Sequence, residues 1–194
     1  MRTILLSFMV TLCSCRAMMG VSEIREYKVN DIKQFLRQNN INDSTVYFVD
    51  QEYKKSLLLI SKDTYLLKNH MQPLQVCYFN KAGSLISYHI NCNAPGFPNL
   101  NWNYKNVMET FPPKTQTEPD SLLDLTGFLK LIKSNDKNII TRDKDINIYI
   151  VFFWAGFLKK QSKLLIETVK RNQELSKTKK MKIVYVNTDN LFLE

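Results

Sequence analysis

Four cysteines and two histidines are the residues of this 194-residue chain with the widest chemistry. A cysteine acts as a nucleophile only as a thiolate, and two cysteines in an oxidising compartment can instead form a bridge. Cys77 stands inside the apolar run Val76-Cys77-Tyr78-Phe79, and Cys92 follows the next such run. If the chain turns near Lys81-Ala82, Cys77 faces Ile86 rather than Cys92, so a bridge needs the chain after Ile90 to fold back. Cys77 and Cys92 are the candidate disulfide, weighed against two free thiols with Cys77 as a small buried apolar residue. His70 and His89 stand apart from any Cys, Asp or Glu at ligand spacing, so they do not compose a metal site. The expectation is an exposed His70 and a strand His89. No Gly-rich phosphate loop and no Ser nucleophile elbow is present, so nothing calls for a bound cofactor.

Cys13 and Cys15 belong to a different setting. Arg2 is followed by the apolar run Ile4-Leu5-Leu6-Ser7-Phe8-Met9-Val10-Thr11-Leu12 and then Cys13-Ser14-Cys15. The run is too short to span a bilayer, which takes about 20 residues, and it has the charged start and apolar body of an export signal. Its end resembles the bacterial lipoprotein signal, with Leu12 at −3, Ser14 at −1 and Cys15 as the residue that is acylated and becomes the new N-terminus. The resemblance implies a lipoprotein of the bacterial cell envelope, periplasmic or on the outer membrane. Its membrane partner is then the bilayer, through Cys15, and a further partner is an envelope protein.

The formal net charge is +9. Such a balance suits anionic partners, but export removes nucleic acid from the choice. Most lysines are interleaved with Asp, Glu and Asn. The one dense cluster, Lys177 to Lys182, sits where a helix ends and a strand begins, where cations complement the helix C-terminus.

The elements that must position these residues follow from periodicity. Residues 1–15 read as the signal and 16–29 as a tether. Asn30-Asp31 can cap a helix with Ile32, Phe35 and Leu36 on one face. Thr45 to Val49 reads as a buried strand, and Gln51 to Lys68 as helix. Pro73 to Ile90 reads as a hairpin turning before Gly83. Asn91 to Lys114 reads as a long loop around Phe97 and Trp102. A helix capped by Asp120 or Ser121 carries Leu122, Leu125, Leu129 and Ile132. Ile146 to Trp154 is a nearly continuous apolar strand of the kind covered on both faces. Phe157 to Ser176 is an amphipathic helix, and Lys182 to Asn187 the next strand. Strand, helix and strand make a βαβ unit with parallel strands. The chain thus divides into an N-terminal α/β segment, 30–118, and a βαβ segment, 119–194.

The βαβ segment resembles the thioredoxin-like superfamily, in the flavour of extracytoplasmic thiol–disulfide oxidoreductases. Phe153-Trp154-Ala155 matches the family's strand end, and Lys182 to Asn187 with Asp189 its following strand and Asn-x-Asp ending. The resemblance implies a central mixed sheet with helices on both faces. It also implies a Cys-x-x-Cys opening the helix, and here Leu158 and Gln161 stand in those two places beside Trp154. Leucine cannot ionise and glutamine cannot exchange disulfides, so the motif is degenerate. Pro73 resembles the family's cis-proline, but its hairpin lies upstream. The elements are in permuted order, or the hairpin belongs to a separate sheet edge, or the fold is incomplete. The function expected is a redox-inactive binding or structural accessory module at the envelope. The alternative is a thiol oxidoreductase or peroxidase-like protein using Cys77 or Cys92.

Overall fold

The structure, a computed structural model, describes residues 19–42, 45–136, 141–177 and 180–193. Cys13 and Cys15 lie outside the described residues, as do Thr178 and Lys179 of the lysine cluster.

The chain builds α1 (Val29–Gln38), β1 (Tyr47–Phe48), α2 (Gln51–Ile60), α3 (Thr64–His70), β2 (Gln75–Asn80) and β3 (Leu85–Ile90). It continues with α4 (Leu125–Leu131), β4 (Lys133–Ser134), β5 (Ile148–Trp154), α5 (Lys159–Glu174) and β6 (Met181–Asn187). Among the described residues, six strands form one mixed sheet in the order β3-β2-β5-β6-β1-β4. β5, β6 and β1 run parallel. β2 is antiparallel to β5 and to β3, and β4 is antiparallel to β1. Segments 30–118 and 119–194 therefore contribute strands to the same sheet.

β5 is central because its residues can be buried on both sides. Tyr149 through Trp154 are all inaccessible. Period two sends Ile150, Phe152 and Trp154 to one face, under Ile32, Phe35 and Leu36 of α1 and Leu165, Ile166 and Val169 of α5. It sends Tyr149, Val151 and Phe153 to the other, under Tyr53 and Leu57 of α2, Leu67 of α3 and Leu125, Phe128 and Leu129 of α4. The result is three layers, helices over a sheet over helices. Each fully buried aliphatic or aromatic side chain contributes about 1.5–3 kcal/mol by area.

The expected helix from Gln51 to Lys68 is two helices. Ser61 leaves helical geometry with extended backbone, and the Asp63 carboxylate starts a new helix by accepting from Tyr65 N and Leu66 N. Asp124, rather than Asp120 or Ser121, caps α4 by accepting from Gly127 N at 2.7 Å. The hairpin turn is centred on Ala82 and a register shift falls between Tyr78 and Phe79, and together they set Cys77 opposite Tyr88 instead of Ile86.

Candidate functional site

The turn after β5 carries the positions where redox chemistry was sought. Trp154 ends the strand, a short 3-10 turn spans Gly156–Leu158, and α5 opens at Lys159. Leu158 is partly buried and packs against the core on the α1 and α5 side. Gln161 is fully buried, and its Nε2 donates to the carbonyls of Met19 at 2.7 Å and Pro98 at 3.1 Å. Ser162 folds back on the strand end: its hydroxyl donates to Ala155 O at 2.7 Å and accepts from Ala155 N at 3.1 Å.

Beneath the turn lies Asp189, just past the end of β6 and inaccessible to solvent. Its carboxylate accepts from Gly156 N at 2.6 Å, Phe157 N at 3.0 Å and Asn187 Nδ2 at 2.6 Å. Burial pushes this carboxyl up, and the surrounding hydrogen bonds only partly oppose it. The backbone N–H groups of the turn, a natural place for an anion, are taken by the chain's own carboxylate.

Above the turn lies a strap, residues 19–28. Ser22 N donates to Phe157 O at 2.8 Å. Tyr27 and Asn190 exchange two bonds, Tyr27 N to Asn190 Oδ1 at 2.9 Å and Asn190 Nδ2 to Tyr27 O at 3.2 Å. The Tyr27 ring lies over Gly156, where a Cβ would come within 1.9 Å of its Cζ. Tyr27 also meets Trp154 edge to face, and Phe35 stacks on Trp154 at 3.9 Å between ring centres. Burial, then the charge of Asp189, raises the Tyr27 hydroxyl, with Arg25 working against both. Among the described residues, the buried atoms Trp154 Nε1 and Gln161 Oε1 find no hydrogen-bond partner.

Pro73 is not a cis-proline. The cis peptide bonds precede Pro98 and Pro112. Pro73 nevertheless lies beside the strand end, because the Thr188 hydroxyl donates to both Pro73 O at 3.0 Å and Trp154 O at 3.1 Å. Cys77 and Cys92 do not pair: both thiols are free. Cys77 points into the core between β3 and β5, and burial holds its thiol well above the usual range. Cys92 is exposed on the turn after β3, its thiol 3.0 Å from Gln72 Oε1.

A second polar cluster was not foreseen. His70 is wholly buried, not exposed, and its Nε2 lies 3.0 and 3.1 Å from the two Asp120 oxygens. Its Nδ1 has no partner. The ring is sandwiched by Tyr88 and Phe128, each 5.4 Å away. Asp120 lines an open groove of about 540 Å³ with Leu66, Leu85, Pro119, Leu123 and Asp124. Burial works to raise the Asp120 carboxyl, but the hydrogen bond and charge of His70, with the bond from Leu122 N, leave it below its ordinary value. The sequence separates the pair by fifty residues, so no local motif could reveal it. His89 is on β3, as expected, bonded to Ser87 Oγ at 2.9 Å and Gln116 Oε1 at 3.2 Å.

No family model, no curated protein and no solved structure matches this chain. Among the described residues, no helix is long and apolar enough to cross a membrane.

Proposed function

We propose that this protein is a thioredoxin-like module, with its elements in permuted order, that serves as a binding or structural accessory at the bacterial cell envelope and is anchored through an acylated Cys15. The order β3-β2-β5-β6, with a hairpin antiparallel to the first strand of a parallel βαβ unit, supports the permuted reading. The observation that carries the functional reading is the closed turn. Leu158 and Gln161 stand where a dithiol would be, Gln161 binds the chain's own carbonyls, and Tyr27 covers Gly156. A thiolate gains its nucleophilicity from an electropositive, accessible setting. Cys77 has neither, since it is inaccessible and its thiol is raised by burial.

Insulin-reduction and peroxide-reduction assays test this. Neither is expected to show turnover above the uncatalysed rate. Turnover that Cys77→Ser or Cys92→Ser abolishes would overturn the reading in favour of a thiol enzyme. The anchor is tested separately by metabolic labelling with a tagged fatty acid; label retained in Cys15→Ala would remove that assignment.

A further inference from the structure

Gln161 gathers two distant pieces of surface. Its amide nitrogen binds Met19 O and Pro98 O together, which brings the backbone at Met19 close to that at Pro98, the residue after Phe97. Met19 and Phe97 are both exposed, at 46% and 54%. Ile24, exposed at 45%, sits on the same strap, between Ser22, which is bonded to Phe157 O, and Tyr27, which covers Gly156. The first two residues of α5 add cations. Gly20 packs against the Lys160 side chain, and Lys159 shares a small cleft with Arg25. Lys159, Lys160 and Arg25 are all exposed. The strap also carries exposed Glu23 and Glu26, and Arg25 pairs with Asp31 at 3.5 Å, so the cations left beside the apolar tips are Lys159 and Lys160. Exposed apolar tips next to lysines suit a surface that meets lipid headgroups.

The chain itself decides what covers this patch. Cys15 lies four residues ahead of Met19, and four residues reach at most about 14 Å when fully extended. An acyl chain at Cys15 therefore holds this end of the molecule against a bilayer, within reach of attraction by anionic headgroups. We propose that the β5–α5 end, with Met19, Ile24 and Phe97 beside Lys159 and Lys160, is the face that docks on an anionic lipid surface. The hairpin turn at Lys81 then points away. β2 runs antiparallel to β5, with Asn80 opposite Ile148, so that turn lies at the far end of the sheet, about 20 Å away at 3.3 Å per residue. The inference rests on acylation of Cys15, and it adds an orientation that acylation alone does not fix.

Lysine footprinting tests it. The mature lipoprotein is placed in detergent micelles, in phosphatidylcholine vesicles, or in vesicles that also contain phosphatidylglycerol, and acetylation rates are read by mass spectrometry. Intact mass first establishes whether acyl chains are present. If they are absent the anchor reading fails, and the orientation is then tested by coupling Cys15 of a Cys13→Ser, Cys92→Ser chain to maleimide lipid. Lys159 and Lys160 are expected to react at least about threefold more slowly on the anionic vesicles than in micelles, with Lys81 unchanged. Equal rates at Lys159 and Lys160 in all three, or protection of Lys81 instead, would overturn the proposal. Protection that is the same with and without phosphatidylglycerol would remove the role of the cations.

Discussion

Two carboxylates, one inaccessible and one partly buried, meet the same need for partners in different ways. Asp189 is enclosed: three donors converge on it, and Tyr27 and the strap lie over the turn it supports. Asp120 stands at the rim of a groove, with a buried imidazole behind it and open space in front. Burial wins at Asp189 and raises it, whereas the His70 partnership outweighs burial at Asp120 and lowers it. The site that sequence motifs pointed to is thus the one the chain has closed for its own stability. The site with an accessible carboxylate carries no motif.

Removing each carboxylate should separate the two most sharply. Asp189→Ala leaves Gly156 N, Phe157 N and Asn187 Nδ2 buried without an acceptor, where water cannot follow. The expected loss is about 3–5 kcal/mol in denaturant unfolding. Asp120→Ala opens His70 to groove water and should cost about 1–2 kcal/mol. Equal losses would mean that enclosure is not what distinguishes them.

Acid should come next. Burial pushes His89 down to about 4, so the fold holds it neutral. Its stability is complete above the ordinary value of 6.5 and is lost as pH falls towards about 4, a loss of about 3 kcal/mol. His89→Gln should flatten that limb. The carboxylates then act in opposite senses. Asp189, raised, favours the fold increasingly as pH falls towards its unfolded value of 3.8, while the stabilisation from Asp120, lowered, persists until pH drops below that value. Unfolding curves of Asp189→Asn and Asp120→Asn across this range should change slope in opposite directions; parallel curves would break the contrast.

Gly156→Ala should cost about 2 kcal/mol by driving the Tyr27 ring off the turn. Pairing it with Tyr27→Ala should cost clearly less than the sum of the two single changes, because the clash is shared. Strict additivity would show that the strap does not cover Gly156 in solution.

The smallest effect concerns the thiols. Cys92→Ser should leave stability within about 0.5 kcal/mol, and Cys92 should alkylate in the native protein while Cys77 reacts only on unfolding. Fast native alkylation of Cys77 would reveal access to the core from the His70 side.

Legibility followed the density of apolar residues. β5, α5, β6 and the β2–β3 hairpin were readable because Tyr149 to Trp154 and Gln75 to Phe79 are continuous runs buried on both faces. β4 was not, since Lys133 and Ser134 have no strand character and pair with β1 through tertiary placement. The strap was read as a tether because Ser22 to Glu26 is polar. What folds it down is Tyr27, and its receptor is a glycine with no room for a Cβ. Asp189 was visible as part of an Asn-x-Asp ending, but its role as acceptor for a turn more than thirty residues earlier was not. His70 looked exposed because the partner that makes its burial tolerable, Asp120, lies far along the chain.

The order of the strands has a consequence for synthesis. β5 is the strand that joins the hairpin to the parallel half of the sheet, yet it emerges almost seventy residues after β2. Until then the Gln75–Asn80 strand has no neighbour on that edge. Before β5 arrives the β2–β3 hairpin therefore presents an open strand edge, of the kind that associates with other chains while synthesis is unfinished.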